Sequence, residues 1–407
     1  MSAKAPLVAA YSLVLHPHVH ESPLYYRSLV VLYTQIHAKA MVGNDDAFTP
    51  DESWHRKLRY TIGKEYAGGY GDDDDDGATF RQARGMAFDH HRGLLLVVDR
   101  NNDRVQAFAS VDGSFVCKFG SRGDQERQFR APVAVAIDKD RSLDVDRIIV
   151  VDAGNERLQL WPLNEQPFSS YVSKRFTGLN FSSLGAVAID KRRRRIIIVD
   201  RGRNRLVALS LLDFSLVFTI GDSRCRRPGE FLSPSGVAVD RDRDRIIAVD
   251  SFNHRIQVFA ALDGAFLFEF GDEGNEPGQF NCPFGVCIDH QGRIIVSDTY
   301  NHRLQAFSPE GHHVSSFACG VDGPRPLEVA FDKYRGLIAF TEGLQVHVIE
   351  ANQWLPGTFV WRVDRHHYGP ESMKQAVERM AMIRSLVHES ALSMLPNELL
   401  FEIAAHL

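Results

Sequence analysis

Apolar positions along this chain come in short bursts, alternating or continuous, cut apart by turn residues. The clearest instance is the 36-residue stretch Ser235–Phe270, which divides into GVAVD, RIIAVD, HRIQVF and FLFEF. These runs are rich in Val, Ile and Phe and too short for helices, so each reads as a strand. The aspartate closing the first run recurs as Asp89, Asp138, Asp190, Asp240, Asp289 and Asp332, at intervals of 49, 52, 50, 49 and 43 residues. A period of this size marks a repeat architecture, and four antiparallel strands per period is the blade of a β-propeller. The expected fold class is therefore all-β.

A second aspartate follows the second run, at Asp99, Asp152, Asp200, Asp250 and Asp298, with Glu342 in the last unit. Asn lies three residues on (Asn102, Asn155, Asn253, Asn301) and Arg five residues on (Arg104, Arg157, Arg205, Arg255, Arg303); the third unit departs, with Arg203 at the Asn position. Asp and Asn bond nearby amides and tolerate left-handed backbone, which suits the turn after the second strand. The Asp and Arg are expected to face each other across the hairpin neck as a pair contributing roughly 0.2–1 kcal/mol. That makes the motif a structural turn and not a catalytic device.

The pattern D-x-x-N-H-R-I-Q-V-F at Asp250–Phe259, with its variant at Asp298–Phe307, resembles the NHL repeat. The segments Pro228-Gly229-Glu230-Phe231 and Pro277-Gly278-Gln279-Phe280 belong to the same pattern. The resemblance covers about residues 55–350 and implies an NHL-type propeller of six blades. Fourth-strand candidates nevertheless number seven (57–63, 114–120, 171–178, 214–221, 265–271, 313–320 and 357–363), against six clear sets of first to third strands. Two readings stand. Either the strand at 57–63 closes a six-bladed ring against the last unit, which is favoured, or residues 6–63 form a degenerate seventh blade. The domain division is then an N-terminal segment (1–53), the propeller (54–363) and a helical tail (371–407).

In the tail, Met373, Val377, Met380 and Leu386 fall near one helical face. A further helix is expected from Leu395-Pro396, with Leu399, Leu400, Ile403 and Leu407 as its apolar stripe. This segment resembles the opening helix of an F-box, which docks proteins onto a cullin ubiquitin ligase through a Skp-type adaptor. The resemblance implies adaptor docking through Leu395, Pro396, Leu399, Leu400, Ile403 and Leu407. A lone amphipathic helix needs some covering surface, so packing on the propeller or on another chain is the alternative.

Composition changes this picture little. With 44% hydrophobic and 24% charged residues the chain is of ordinary soluble type, and its net charge of −5 gives no general attraction to nucleic acid or acidic membrane. No DNA or membrane partner is expected. The five cysteines are scattered, as in a reducing compartment, and no signal peptide or membrane span is legible. An intracellular, cytoplasmic location is expected.

Strand alternation sorts the loops onto two faces. One carries the run Lys191–Arg195, cationic enough to attract phosphate. The other carries the D-x-x-N turns and the starts of the first strands, with Arg84, Arg100, Arg201, Arg203, Phe252, Phe284 and Tyr300 as the candidate partner-binding face. Arginines among aromatics suit protein contacts, and they also suit single-stranded RNA. Asp72–Asp76 on that face opposes RNA. The resemblance to NHL-like lactonases and an amidating lyase implies a metal at the channel, yet the corresponding positions here are Gly85, Ala134, Ala186, Gly236, Gly285 and Glu328. Only Glu328 suits a hard cation. His254 and His302 are expected to be structural. The expectation is a non-enzymatic binding scaffold without metal or cofactor, engaging a protein partner and linked to ubiquitination through the C-terminal helix. The alternatives are a single-stranded RNA-binding propeller and a metal-dependent propeller lyase or lactonase.

Overall fold

A computed structural model of the chain describes residues 57–63, 79–140, 145–162, 172–175, 181–222, 224–319 and 323–355. The 1–53 segment, Asp72–Asp76, the candidate strand at 357–363 and the tail at 371–407 with its docking helix lie outside the described residues.

The described strands form six four-stranded sheets, besides a small two-stranded parallel pair. Blade one comprises Ala83–Asp89, Leu94–Asp99, Arg104–Ala109 and Phe115–Phe119. Blade two comprises Ala134–Asp140, Val145–Asp152, Arg157–Pro162 and Val172–Arg175. Blade three comprises Leu184–Asp190, Arg195–Asp200, Arg205–Ser210 and Leu216–Ile220. Blade four, from the sharpest repeat, comprises Pro234–Asp240, Arg245–Asp250, Arg255–Ala260 and Phe266–Phe270. Blade five comprises Pro283–Ile288, Ile294–Asp298, Arg303–Phe307 and His313–Ala318.

Blade six takes Val329–Asp332, Leu337–Glu342 and Gln345–Glu350 from the last unit, and its outer strand is Leu58–Ile62 from the other end of the ring. The register runs Leu58↔Ile349, Tyr60↔Val348, Thr61↔His347 and Ile62↔Val346. The extra fourth-strand candidate at 57–63 is thus the missing strand of the last unit. The ring has six blades.

Six apolar clusters fill the clefts between neighbouring blades, one per cleft. This explains the continuous apolar text of the second strands. In blade three, Ile196 and Ile198 pack toward blade two while Ile197 and Val199 pack toward blade four, so neither face can be polar. The entry-loop phenylalanines have the same logic. Phe129, Phe231 and Phe280 are fully buried and each wedges the cleft beside its loop. Phe280→Ala is expected to lower the unfolding free energy by about 3–5 kcal/mol, read from urea denaturation, because the cleft cannot collapse onto the void. No helix among the described residues is long and apolar enough to cross a membrane.

Candidate functional site

The D-x-x-N-x-R motif proves more deeply structural than the sequence suggested. Asp250 is fully buried. Its Oδ1 accepts the Leu232 N–H at 2.7 Å, and its Oδ2 accepts Asn253 Nδ2 at 2.9 Å, Arg255 Nε at 2.9 Å and Gln257 Nε2 at 3.2 Å. Arg255 in turn donates to the Arg227 and Glu230 carbonyls and to Glu269. Blade five repeats the arrangement around Asp298 and Arg303, blade one around Asp99 and Arg104, and blade two around Asp152 and Arg157. Blade three keeps Arg205 on Asp200 but has Val207 at the Gln position. The Asp and Arg do face each other across the hairpin neck, and each carboxylate is in addition a buried hub tying the loop that enters a blade to its second and third strands. Burial, opposed by these bonds, pushes the Asp250 and Asp298 carboxyls above the ordinary carboxylate range.

The residue after the Asn position is the left-handed one, at Asp103, Glu156, Asn204, His254 and His302, each with φ near +50°. Several of these side chains reach into the next blade's entry loop. Asp103 accepts the Ala131 N–H, Asn204 the Ser233 N–H, and His254 Nδ1 the Cys282 N–H. On the opposite face, the run Lys191–Arg195 is not a free cationic patch. Arg193 bonds Asp190 and Asp244, Arg194 holds Asp138 bidentately at 2.7 and 3.0 Å, and Arg195 donates to the Ala261 and Leu262 carbonyls. These arginines join blades two, three and four, and the charges of Arg193 and Arg194 are matched by carboxylates.

Function is better sought where the first strands begin. Blades one, three, four and five each break register there, between Ala83 and Met86, Leu184 and Val187, Pro234 and Val237, and Pro283 and Val286. A bulge re-aims side chains. The position five before each first-strand aspartate thereby reaches the channel mouth, which presents Arg84, Ser235 and Phe284. In blades one and five the next position must be small, because a Cβ on Gly85 would lie 2.5 Å from Ala134 Cα and one on Gly285 2.5 Å from the Leu327 carbonyl oxygen.

A cavity of about 150 Å³ opens here, lined by Arg84, Arg100, Val133, Ser183, Leu184, Gly185, Ala186, Arg201, Ser235, Phe284 and Glu328. Phe284 is the platform: the guanidinium carbons of Arg84 and Arg201 lie 5.3 and 5.8 Å from its ring centroid. Arg201 also lies 5.9 Å from the Phe252 ring and bonds Ser233 Oγ at 2.6 Å. Arg100 donates to Gln82 Oε1 at 3.0 Å. Of the sequence-chosen residues, Arg84, Arg100, Arg201 and Phe284 share the cavity, and Phe252 joins them through Arg201. Arg203 is exposed and does not line it, and Tyr300 stacks instead with Arg325, 5.4 Å from its ring centroid. Arg325 carries no repeat signal, and Glu328 looked like a solitary metal ligand and not an arginine neighbour.

Burial pushes the Glu328 carboxyl from its ordinary 4.5 up to about 7, and Arg84 pulls it back only in part. Arg84 itself is lowered, first by burial and then by the nearby Arg100 and Arg201. The folded chain thus keeps a proton on Glu328 that the unfolded chain releases. Stability from this group is full below about pH 4.5 and is lost as pH rises through about 7. Urea denaturation across that window is expected to show a decline of ~1–3 kcal/mol that Glu328→Gln abolishes. Among the described residues no group of three His, Cys, Asp or Glu side chains gathers closely enough to hold a metal ion.

The fold and these turns define the class, a six-bladed β-propeller carrying NHL repeats. The NHL-repeat family model matches residues 231–259 and 280–307, the entry loops and first three strands of blades four and five. Among solved structures, the chain is similar to a protein of unknown function from Bacteroides thetaiotaomicron, at 16% identity and a TM-score of 0.54, covering 69% of this chain and 72% of that one. It is also similar to a gluconolactonase of Xanthomonas campestris, at 15% identity and a TM-score of 0.50, covering 66% and 86%. A virginiamycin B lyase from Staphylococcus aureus follows at 9% identity and a TM-score of 0.47, covering 69% and 83%. These likenesses concern the fold alone. No curated protein gives a significant match.

Proposed function

We propose that the chain is a non-enzymatic binding scaffold whose D-x-x-N face receives a protein partner. The observation that carries this reading is the continuous arrangement Arg84–Phe284–Arg201–Phe252, in which arginines stack on aromatics and Phe252 remains 47% exposed. Exposed aromatics beside arginines are the usual anchors of protein interfaces. Tyr300, 52% exposed, extends the same face beside Arg325. By contrast, the motif carboxylates are committed to fastening each blade's own entry loop, and Arg193, Arg194 and Arg195 to joining neighbouring blades.

The test is capture of partners from cells with the full chain as bait. Phe252→Ala combined with Tyr300→Ala is expected to abolish recovery of partners that the native chain retains, with the unfolding midpoint unchanged. Coupling of such cargo to a Skp-type adaptor through Leu399, Leu400 and Ile403 is the second half of the proposal. Leu399→Asp with Ile403→Asp should then remove the adaptor and leave the cargo. The Arg–aromatic interleaving also supports single-stranded RNA as a second reading, which predicts a gel shift with steep salt dependence.

A further inference from the structure

Building on the scaffold reading, we propose that the channel-mouth cavity is a receptor for one carboxylate, supplied by an acidic side chain or chain end of the protein partner. Most arginines in the motif and on the opposite face are closed onto carboxylates or carbonyls. The cavity arginines are different. Arg84 meets the face of Phe284, and among the described residues no hydrogen-bond acceptor lies on its guanidinium. Arg100 Nε is buried without a hydrogen-bond partner. Arg201 has its Nε on Ser233 and its plane against two rings, which leaves its outer nitrogens for a guest. Three guanidinium groups therefore converge with one carboxyl, Glu328, as the acidic group lining the cavity.

Size selects among anions. The cavity holds about 150 Å³, the volume that accommodates a benzene-sized guest. One acidic side chain fits that space, whereas a nucleobase with its sugar and phosphate does not. Glu328 then acts as an internal stand-in. The charged group acting on it is Arg84 from the inner strand of blade one, while Arg100 and Arg201 from the turns line the same cavity. Protonated, it can donate to the incoming carboxylate; ionised, it competes for the same arginines. Affinity therefore falls as pH rises through about 7.

The experiment is calorimetric titration of N-acetylglutamate into the purified full chain at about pH 6, with N-acetylglutamine α-amide (which carries no carboxylate), inorganic phosphate and a single-stranded oligouridine as comparisons. Saturable binding of N-acetylglutamate over N-acetylglutamine α-amide is expected. It should weaken about tenfold in Arg84→Met and in Arg201→Met, since each loses a charge-assisted bond. Arg84→Lys should recover part of that loss, and Glu328→Gln should remove the pH dependence. Unfolding midpoints check that each variant is folded, and a misfolded Arg84→Met is replaced by Arg201→Met alone. Equal binding of the acid and the amide, undiminished binding in a folded Arg201→Met, or binding of phosphate or oligouridine in preference to N-acetylglutamate overturns the assignment. If partner capture depends on Phe252 and Tyr300 while these titrations fail, the carboxylate receptor falls and the scaffold stands.

Discussion

Asp250→Ala should lower the unfolding free energy by about 3–5 kcal/mol, the cost of removing one partner of a buried ion pair. Arg255 is 1% exposed, and its Nε would lose its buried carboxylate, leaving the partly exposed Glu269 as its counter-ion. The Leu232 N–H and the amides of Asn253 and Gln257 would lose an acceptor in the same step. The raised Asp250 carboxyl means that burial outweighs the bonds made to the charge. The hub is thus costly to build and costlier to break. Arg255→Met in the Asp250→Ala background should therefore destabilise much less than Arg255→Met alone, a coupling that urea denaturation of the four chains measures. Additive losses would mean that the two side chains do not form one unit.

Ile62→Asp is expected to be as severe, from a residue that lies outside the clear repeats. Ile62 is 4% exposed and packs in the cleft between blades six and one, opposite Val346. An unpaired carboxylate there should cost about 3–5 kcal/mol, a large part of the stability of an ordinary domain. It should also loosen the outer strand of blade six and bare the edge formed by Gln345–Glu350, which is a template for pairing with other chains. Size-exclusion chromatography should show loss of the native peak to larger species alongside the lowered transition. An unchanged elution profile and stability would show that the strand is dispensable.

The repeat was legible because its period is written in side chains that must be apolar or must be Asp. GVAVD and RIIAVD spell strands wherever they occur, and Asp99 through Asp298 announce their turns. The depth of those turns was not legible. An Asp–Arg pair five residues apart looks the same in text whether it is solvated or fully buried, and only the entry loop folding over it decides. The Gln at 106, 159, 257 and 305 was not singled out in the sequence, although each binds an entry-loop carbonyl and the hub carboxylate. Lys191–Arg195 misled for the same reason: its partners Asp138 and Asp244 belong to other blades. The cavity was half visible. Arg84 and Phe284 follow from their shared place in the repeat, but the proximity of Glu328 to Arg84 depends on the ring closing.

Closure is the claim on which the rest depends, since it alone brings blade one against blade six and so Arg84 toward Glu328. Thr61 and His347 are direct cross-strand partners, with Oγ1 and Nδ1 3.1 Å apart. Directly opposite residues of antiparallel strands lie within the Cα separation a disulfide requires, about 4.4–6.8 Å. The most direct test is therefore oxidation of the Thr61→Cys/His347→Cys chain, followed by peptide mass spectrometry under non-reducing conditions. A 61–347 crosslink is expected within the folded chain and is absent from either single variant. Failure of that link to form within a folded chain, or pairing of residue 347 with a segment other than 58–62, would contradict ring closure.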